Sequence, residues 1–286
     1  PEWVFAFFGA RKIGAVAVPM NTLLKPHDYL YLLADSRAHV LIVHAALLES
    51  ISEIREQLGY LQHIIVVGGD SQGHLAWEAV LQNASPALLA VDTSKDDAAF
   101  WLYSSGTTSV PKGTIHLHHD MIVEADLYAK NVLGLEESDV SFSVAKLFFA
   151  YGLGNGLYFP LRTGGTTILL PDRPTPDKVY EIIDRLQPTV FYSVPTSYVA
   201  LLHAAEESQR TELGRVRMCV SAGEPLPAHL FDKWEERFGL KILDGIGSTE
   251  ILHIFISNSP DHARAGSTGR LVPGYEAKIV DEDGNE

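Results

Sequence analysis

Short apolar runs of strand length alternate with helix-length segments along most of this chain, and that alternation restricts it to an α/β architecture built on a largely parallel sheet. Parallel neighbours cannot be joined by a tight hairpin, because each crossover needs about a dozen residues or more, usually a helix. Over residues 1 to about 90 the pattern reads helix Glu2–Ile13, short strand Ala15–Pro19, helix Pro26–Ala34, strand His39–Val43, helix Ser50–Leu58 and strand Ile64–Val67. Gly68-Gly69-Asp70 closes that run as a turn. The Phe and Trp residues of the first helix fall on more than one of its faces, which predicts a buried helix.

The pattern resumes with strand Thr166–Leu170, helix Asp177–Leu186 and strand Thr189–Val194, ended by Pro195. Strand Arg217–Val220 then runs into Ser221-Ala-Gly-Glu-Pro225. Pro227 opens a helix carrying Leu230, Phe231, Trp234 and Phe238 on one side. A further strand, Lys241–Leu243, leads into Asp244-Gly-Ile-Gly-Ser-Thr-Glu250. Two loops therefore leave neighbouring strands at one sheet edge, where open α/β sheets hold their ligands. From Gly266 onward the alternation predicts the first strands of an antiparallel or barrel-like element over 266–286, with Arg270 a solvated side chain.

The segment Trp101-Leu-Tyr-Ser-Ser-Gly-Thr-Thr-Ser-Val-Pro-Lys-Gly113, after the apolar strand Ala98–Tyr103, has the chemistry of a phosphate-binding loop. Gly106 frees the backbone to turn its N–H groups inward, Ser104, Ser105, Thr107, Thr108 and Ser109 add donors, and Lys112 adds a compact positive charge. It is not a Walker loop, since Pro111 stands where the second glycine belongs and Gly113 follows the lysine. The plainer alternative is a Ser/Thr-rich surface turn.

A chain of 286 residues, 46% apolar, can bury a full core as one large domain or two smaller ones. Its net charge of −14 argues against nucleic acid or an anionic membrane surface as partner. A single cysteine, Cys219, excludes a disulfide within the chain, reads as a small buried hydrophobe and fits a reducing cytoplasm. No apolar run reaches the length of a membrane span, no signal peptide is evident, and both ends read as cut. His116, His118 and His119 lack further ligands at the spacing of a known metal site. The helix Met121–Leu133 that follows them is expected to position the loop. In Val140–Pro160, dense aromatics beside Gly152, Gly154 and Gly156 suit either a wall where a flat ligand meets backbone closely or a core segment with a glycine bend. Gly152 and Gly154 are followed by Leu157 where a dinucleotide fingerprint needs glycine. There is no Ser-His-Asp set and no G-x-S-x-G elbow.

Glu250 follows Thr249 at the end of a glycine-rich loop, where a carboxylate near a polyphosphate suits Mg²⁺. The loop at 103–113, Ser221–Glu224 and Gly245–Glu250 resemble, in the same order along the chain, the core motifs of the acyl-adenylate-forming superfamily. Within it the chain resembles benzoate-CoA ligases, through Ala145-Lys-Leu-Phe-Phe-Ala-Tyr-Gly-Leu-Gly-Asn155 and Asp244-Gly-Ile-Gly-Ser-Thr-Glu-Ile-Leu-His-Ile-Phe255. Two positions depart from the pattern: Ser109 stands for a usual glycine, and Ile246 for the aromatic expected against adenine.

The resemblance implies the superfamily's N-terminal domain, with stacked, largely parallel sheets flanked by helices. Residues 1–265 would be its α/β core, two pseudo-repeated subdomains with a boundary near 90–200, and 266–286 the start of a small β-barrel. It implies that Ser104, Ser105, Gly106, Thr107, Thr108 and Lys112 hold the ATP phosphates with Thr249. Ser221, Ala222, Gly223, Glu224 and Pro225, with Asp244, Gly245, Ile246 and Gly247, would frame the adenine, and Glu250 would hold Mg²⁺. Ala150, Tyr151, Gly152, Gly247, His253 and Ile254 would surround the aromatic ring. Lys112, Thr249 and Glu250 would act in catalysis, with ATP, Mg²⁺ and coenzyme A as the small molecules used. A C-terminal lid domain that supplies a lysine, part of the CoA channel and, earlier, a ribose-binding aspartate are expected beyond Glu286, so these residues alone are expected to turn over poorly. Aminobenzoate, hydroxybenzoate or cyclohexane carboxylate remain alternative acids, and a non-catalytic ligand-binding module is the alternative outside enzymes.

Overall fold

The computed structural model describes residues 1–104 and 110–286. Ser105, Gly106, Thr107, Thr108 and Ser109, the centre of the expected phosphate loop, lie outside the described residues. Backbone contacts divide the chain into two compact units, Pro1–His118 and His119–Glu286.

The first unit runs α1 (Glu2–Lys12), α2 (Pro26–Asp35), β1 (Val40–His44), α3 (Leu48–Ser52), β2 (His63–Val67), β3 (Leu75–Ala76), α4 (Trp77–Gln82), β4 (Ala98–Ser104) and β5 (Lys112–Leu117). Strands β1, β2 and β3 form a parallel sheet in that order, with Val40 opposite His63. α2 starts as its sequence predicts: Pro26 occupies the first turn, where its missing N–H costs nothing, and Asp28 accepts from the Lys25 amide at 3.0 Å. Tyr29 and Leu33 of α2 pack with Leu41, Val43, Ile51 and Ile64 in one core. β4 and β5 form an antiparallel pair whose last partners are Ser104 and Lys112.

Several expectations in this unit need correction. Ala15–Pro19 is not a strand: only Ala17 bridges to Phe100, because Gly14 turns left-handed before it and Pro19 has no donor to extend a ladder. α1 is not buried all round; Phe7 is enclosed while Phe5 is 62% exposed. The helix read over Ser50–Leu58 is the short α3 followed by a 3₁₀ turn, Arg55–Gln57. Of the three histidines, His116 lies buried on β5, stacked on Phe100 with ring centroids 4.9 Å apart. Among the described residues no cluster of three or more His, Cys, Asp or Glu could hold a metal.

The second unit contains α5 (Asp120–Glu124), continued by a π-helical turn Ala125–Lys130, then β6 (Val140–Ser143) and α6 (Ala150–Leu153). A second π-helical turn, Gly154–Tyr158, leads into α7 (Phe159–Thr163). β7 (Thr166–Ile168), α8 (Pro176–Leu186), β8 (Val190–Ser193), α9 (Pro195–Glu207), β9 (Met218–Ser221), α10 (Ala228–Phe238), β10 (Ile242–Gly247), β11 (Ile254–Ser257) and β12 (Arg270–Leu271) complete it. Its sheet has the order β12-β11-β10-β9-β8-β6-β7. The stretch from β10 to β7 is parallel, and β11 and β12 add antiparallel strands at one edge.

Strands β6, β8 and β9 are almost wholly buried, as fits parallel strands covered on both faces. α8 turns Val179, Tyr180, Ile182 and Ile183 onto the sheet, and α10 turns Leu230, Phe231 and Trp234. Each such side chain contributes roughly 1.5–3 kcal/mol on burial. Cys219 is fully buried in this core and burial pushes its thiol up to about 12, so it packs as a hydrophobe. Pro195 does more than end a strand, since it sits in the first turn of α9, a helix that the spacing of apolar residues does not announce. The helix read over Met121–Leu133 is interrupted by the π turn. Beyond Leu271 the described residues contain no further strand, and Arg270 is exposed. Among the described residues, no helix is long and apolar enough to cross a membrane.

Candidate active site

The rim of the candidate site lies where β8, β9 and β10 end side by side. Ser193 stands opposite Ser221, and Ser221 opposite Asp244. All three are buried, and Ser193 Oγ, Ser221 Oγ and Asp244 Oδ1 have no hydrogen-bond partner. Orphaned polar atoms are rare in folded interiors, so a row of them at the strand ends suits a polar ligand or water. Burial pushes the Asp244 carboxyl up to about 6. Ala222 is buried after Ser221, Gly223 turns with φ +89°, and Glu224 and Pro225 are exposed. Glu224 accepts from the backbone amide and the hydroxyl of Thr196, both at 3.3 Å, at the start of α9.

From β10 the chain turns sharply to return as β11. Ile246 is 43% exposed, so it offers an aliphatic face. A Cβ on Gly245 would come within 2.8 Å of Ile254 Cγ2, and one on Gly247 within 2.4 Å of the His253 carbonyl oxygen. Only glycine permits this approach. Ser248 N donates to His253 O at 3.2 Å and Leu252 N to Thr249 O at 3.1 Å, which holds the turn closed. Buried Leu252 adopts φ +78°, a conformation that costs a branched residue roughly 1–2 kcal/mol. Thr249 is half-buried and Glu250 exposed on this turn.

The turn delivers His253 and Ile254 into the interior, both almost fully buried. His253 lies among Tyr128, Tyr151 and Phe159, with ring centroids 5.4, 5.3 and 4.6 Å away. Gly154 makes room for it, since a Cβ there would stand 2.5 Å from His253 Cδ2. His253 Nε2 is 3.0 Å from Asn155 Oδ1 and 3.2 Å from the Tyr151 carbonyl. Burial pulls its ring down to about 3, so it is a neutral imidazole. The Tyr151 hydroxyl reaches the carbonyls of Val220 at 3.1 Å and Ser193 at 3.2 Å. Ala150 opens α6, and Gly152 admits the backbone of Lys146, whose carbonyl oxygen lies 2.1 Å from a built Cβ. The two stretches 145–155 and 244–255, widely separated in sequence, thus meet at one histidine.

The first unit holds the ends of the expected phosphate loop. Ser104 closes β4 and exposed Lys112 opens β5 opposite it. The Tyr31 hydroxyl donates to the Pro111 carbonyl at 2.9 Å, tying the loop's exit to α2. A groove of about 660 Å³ lined by Asp177, Tyr180, Glu181, Asp184 and Arg210 contains none of the expected site residues.

Sequence reasoning missed Glu124, Tyr128, Tyr275, Asn155 and Ser193. For Glu124 a signal was present: Met121, Glu124, Ala125 and Tyr128 fall on one helical stripe and all are buried, so a carboxylate occupies a core position. Tyr275 gave none, because only the fold brings it to Glu124, to which its hydroxyl donates.

A doubly wound parallel sheet with glycine-bearing loops at its strand ends defines a nucleotide-binding α/β protein. The chain belongs to the AMP-binding enzyme family, which matches residues 1–286. It is 49% identical to a benzoate–CoA ligase of Thauera aromatica over 280 residues, 98% of this chain and 53% of that one. It is 42% identical to a 4-hydroxybenzoate–CoA/benzoate–CoA ligase of Rhodopseudomonas palustris, over 100% of this chain and 53% of the relative. Among solved structures, the anthranilate CoA ligase AuaEII in complex with anthranoyl-AMP superposes with a TM-score of 0.95 at 47% identity, covering 99% of this chain and 55% of that one. A benzoate CoA ligase from Burkholderia xenovorans gives 0.90 at 44% identity, covering 99% and 56%. The fold is that of the adenylate-forming ligase N-terminal domain. The chain spans about half the length of the curated relatives it matches.

Proposed function

We propose that this chain forms the nucleotide- and acid-binding part of an ATP-dependent aryl acid–CoA ligase, an acid–thiol ligase acting on benzoate or a close analogue. The observation that carries the reading is the convergence of 145–155 and 244–255 on His253, beside the row Ser193–Ser221–Asp244 at the strand ends. An aromatic, glycine-lined interior suits a flat apolar ring, and an orphaned polar row suits the nucleotide.

The reaction has two halves. The aryl carboxylate attacks the α-phosphorus of ATP, the bond to the β-phosphate oxygen breaks, and acyl-adenylate and pyrophosphate result. Coenzyme A thiol, losing its proton, then attacks the acyl carbon and AMP leaves. The protein's part is to orient the two reactants and offset phosphate charge, since no protein nucleophile is required. Ile246, Gly245, Gly247 and Ser221–Pro225 border the adenine, and Tyr151, Gly152, Ala150, Ile254 and His253 border the aryl ring. The motif Ser104–Thr108 with Lys112 has the hydroxyls and the positive charge of a phosphate-binding loop. Mg²⁺ among phosphates takes one or two protein carboxylates and keeps water, and exposed Glu250 with neighbouring Thr249 fits that demand. When bound, the ion neutralises charge on the triphosphate.

ATP–pyrophosphate exchange by the full-length protein, run over a panel of acids, tests the reading. Exchange with benzoate is expected; exchange confined to aliphatic acids would overturn it. Anthranilate is the second acid to try, favoured by the 47% identity and 0.95 TM-score to the structure holding anthranoyl-AMP.

A further inference from the structure

Glu124 has no task in the reaction above, yet its carboxyl is only 1% exposed and stands behind His253. The tyrosine carbonyl facing His253 Nε2 can only accept, so Nε2 carries the ring proton and Nδ1 of the neutral ring is a lone pair. That lone pair faces Glu124 Oε1 at 4.0 Å, beyond hydrogen-bond distance, and both atoms are buried with no hydrogen-bond partner. The other carboxyl oxygen, Oε2, accepts from the Tyr275 hydroxyl, which leaves Oε1 as the place for a carboxyl proton. An ionised Glu124 would set lone pair against lone pair; the neutral acid sets a donor against an acceptor. Burial favours the acid, pushing it up to about 7.

We propose that Glu124 is a positioning residue for the aryl-acid pocket: as a neutral acid it closes the 4.0 Å gap, donates from Oε1 to His253 Nδ1 and fixes the imidazole as the wall on which the substrate ring packs. The inference rests on the aryl-acid reading above. Both ring nitrogens are then committed to the protein, so His253 presents carbon to the ligand, and this wall suits an unsubstituted ring edge better than one bearing a hydroxyl. The other titratable groups around Glu124 are Tyr275, Tyr158, Asp120 and Tyr128, with Asp244 beyond Tyr128. Burial raises the three tyrosines above their ordinary range, so they keep their protons around pH 7. For Glu124 itself burial raises the carboxyl and the Tyr275 hydrogen bond opposes it, while Asp120 is paired with His119 at 3.1 Å.

The test measures kcat and the KM values for benzoate and ATP against pH in the full-length protein, with Glu124→Gln, Glu124→Leu and Tyr275→Phe. In the wild type the benzoate KM should rise roughly tenfold as pH passes through neutrality, with kcat and the ATP KM steady. Glu124→Gln should hold the low KM throughout, because its amide donates to Nδ1 while its oxygen still accepts from Tyr275. Glu124→Leu should hold the high KM throughout, and Tyr275→Phe should move the rise to higher pH by removing a donor that stabilises the carboxylate. A Glu124→Gln profile identical to wild type, or parallel losses in kcat and ATP KM in Glu124→Leu, would overturn the proposal. If no aryl acid supports exchange, the functional reading fails by itself. The ¹⁵N resonance of His253 Nδ1 then decides the contact: movement through neutrality that Glu124→Gln abolishes supports it, and a fixed resonance sinks it.

Discussion

One stretch of chain, Asp244–Ile254, contributes to both the rim and the wall of the candidate site, and yet the two obey different rules. On the rim, Ile246 and Glu250 stand in solvent, so their side chains can change without disturbing a core. In the wall, His253 is enclosed by three aromatic rings and the bare backbone of Gly154, so any change there is felt as packing. Chemistry on phosphates needs exposed charge that water and ions can reach, whereas recognition of a flat ring needs a shape that only close packing maintains. Substitutions should therefore separate into rate effects without stability effects on the rim, and the reverse in the wall.

The strongest challenge to that division is Gly152→Ala. Its Cβ would lie 2.1 Å from the Lys146 carbonyl oxygen, a backbone atom that cannot swing away. A loss of about 3 kcal/mol or more is expected in denaturant unfolding; a midpoint unchanged from wild type would break the comparison. Next comes Glu250→Gln on the rim, with an expected drop of roughly a hundredfold in adenylation rate and no measurable change in Tm, since the side chain is exposed. A Tm loss with intact rate would place it structurally instead.

The wall should also carry a pH signature that the rim lacks. Glu124, raised to about 7, holds a proton in the folded state that the unfolded chain has released, so its contribution is complete below its unfolded value and vanishes as pH rises through 7. His253, lowered to about 3, works in the opposite direction: its contribution is complete above the ordinary histidine value and is lost as pH falls toward 3. Comparing wild type with Glu124→Gln cancels His253 and isolates the carboxyl. From about pH 5 to about pH 9 the wild type should lose about 2 kcal/mol relative to the variant, measured by unfolding at each pH; parallel curves would contradict the buried-acid assignment. The smallest effect is expected from Ile246→Phe, which places an aromatic face on the rim. ATP should bind tighter by about 1 kcal/mol, read by calorimetry, and weaker binding would remove Ile246 from the adenine face.

Much of the rim is legible in the order of residues alone. Ser221–Pro225 and Asp244–Glu250 announce themselves through glycine and hydroxyl residues after short apolar strands, and those strands are neighbours in register. The strand before Ala222 shifts by only one residue, because parallel buried strands are continuous apolar runs. The strand expected to end at Leu243 instead runs on to Gly247, since residues 245–247 pair with β11 in place of forming a loop. The wall is legible only in part. His253, Tyr151 and Asn155 stand in stretches with a recognisable resemblance, though nothing there marks Asn155 as a partner of His253, while Tyr275 carries no local signal and Glu124 is visible only as a carboxylate on an apolar stripe. Short elements fare worst: Ala15–Pro19 looks like a strand, and α9 is hidden behind the proline that begins it. Local pattern has little power where a single bridge or one first-turn residue decides the outcome.

Many of the helices and buried strands, the loops able to approach phosphates and the apolar character of the core follow from local spacing alone, because each depends on residues a few positions apart. The tertiary structure alone decided that Glu124, Asn155, Tyr128 and Phe159 surround His253 and that Tyr275 reaches Glu124, that Leu252 accepts a left-handed backbone to aim the histidine inward, and that its ring is therefore neutral. Burial and partner atoms set a proton's position, and both are properties of groups brought together from distant parts of the chain.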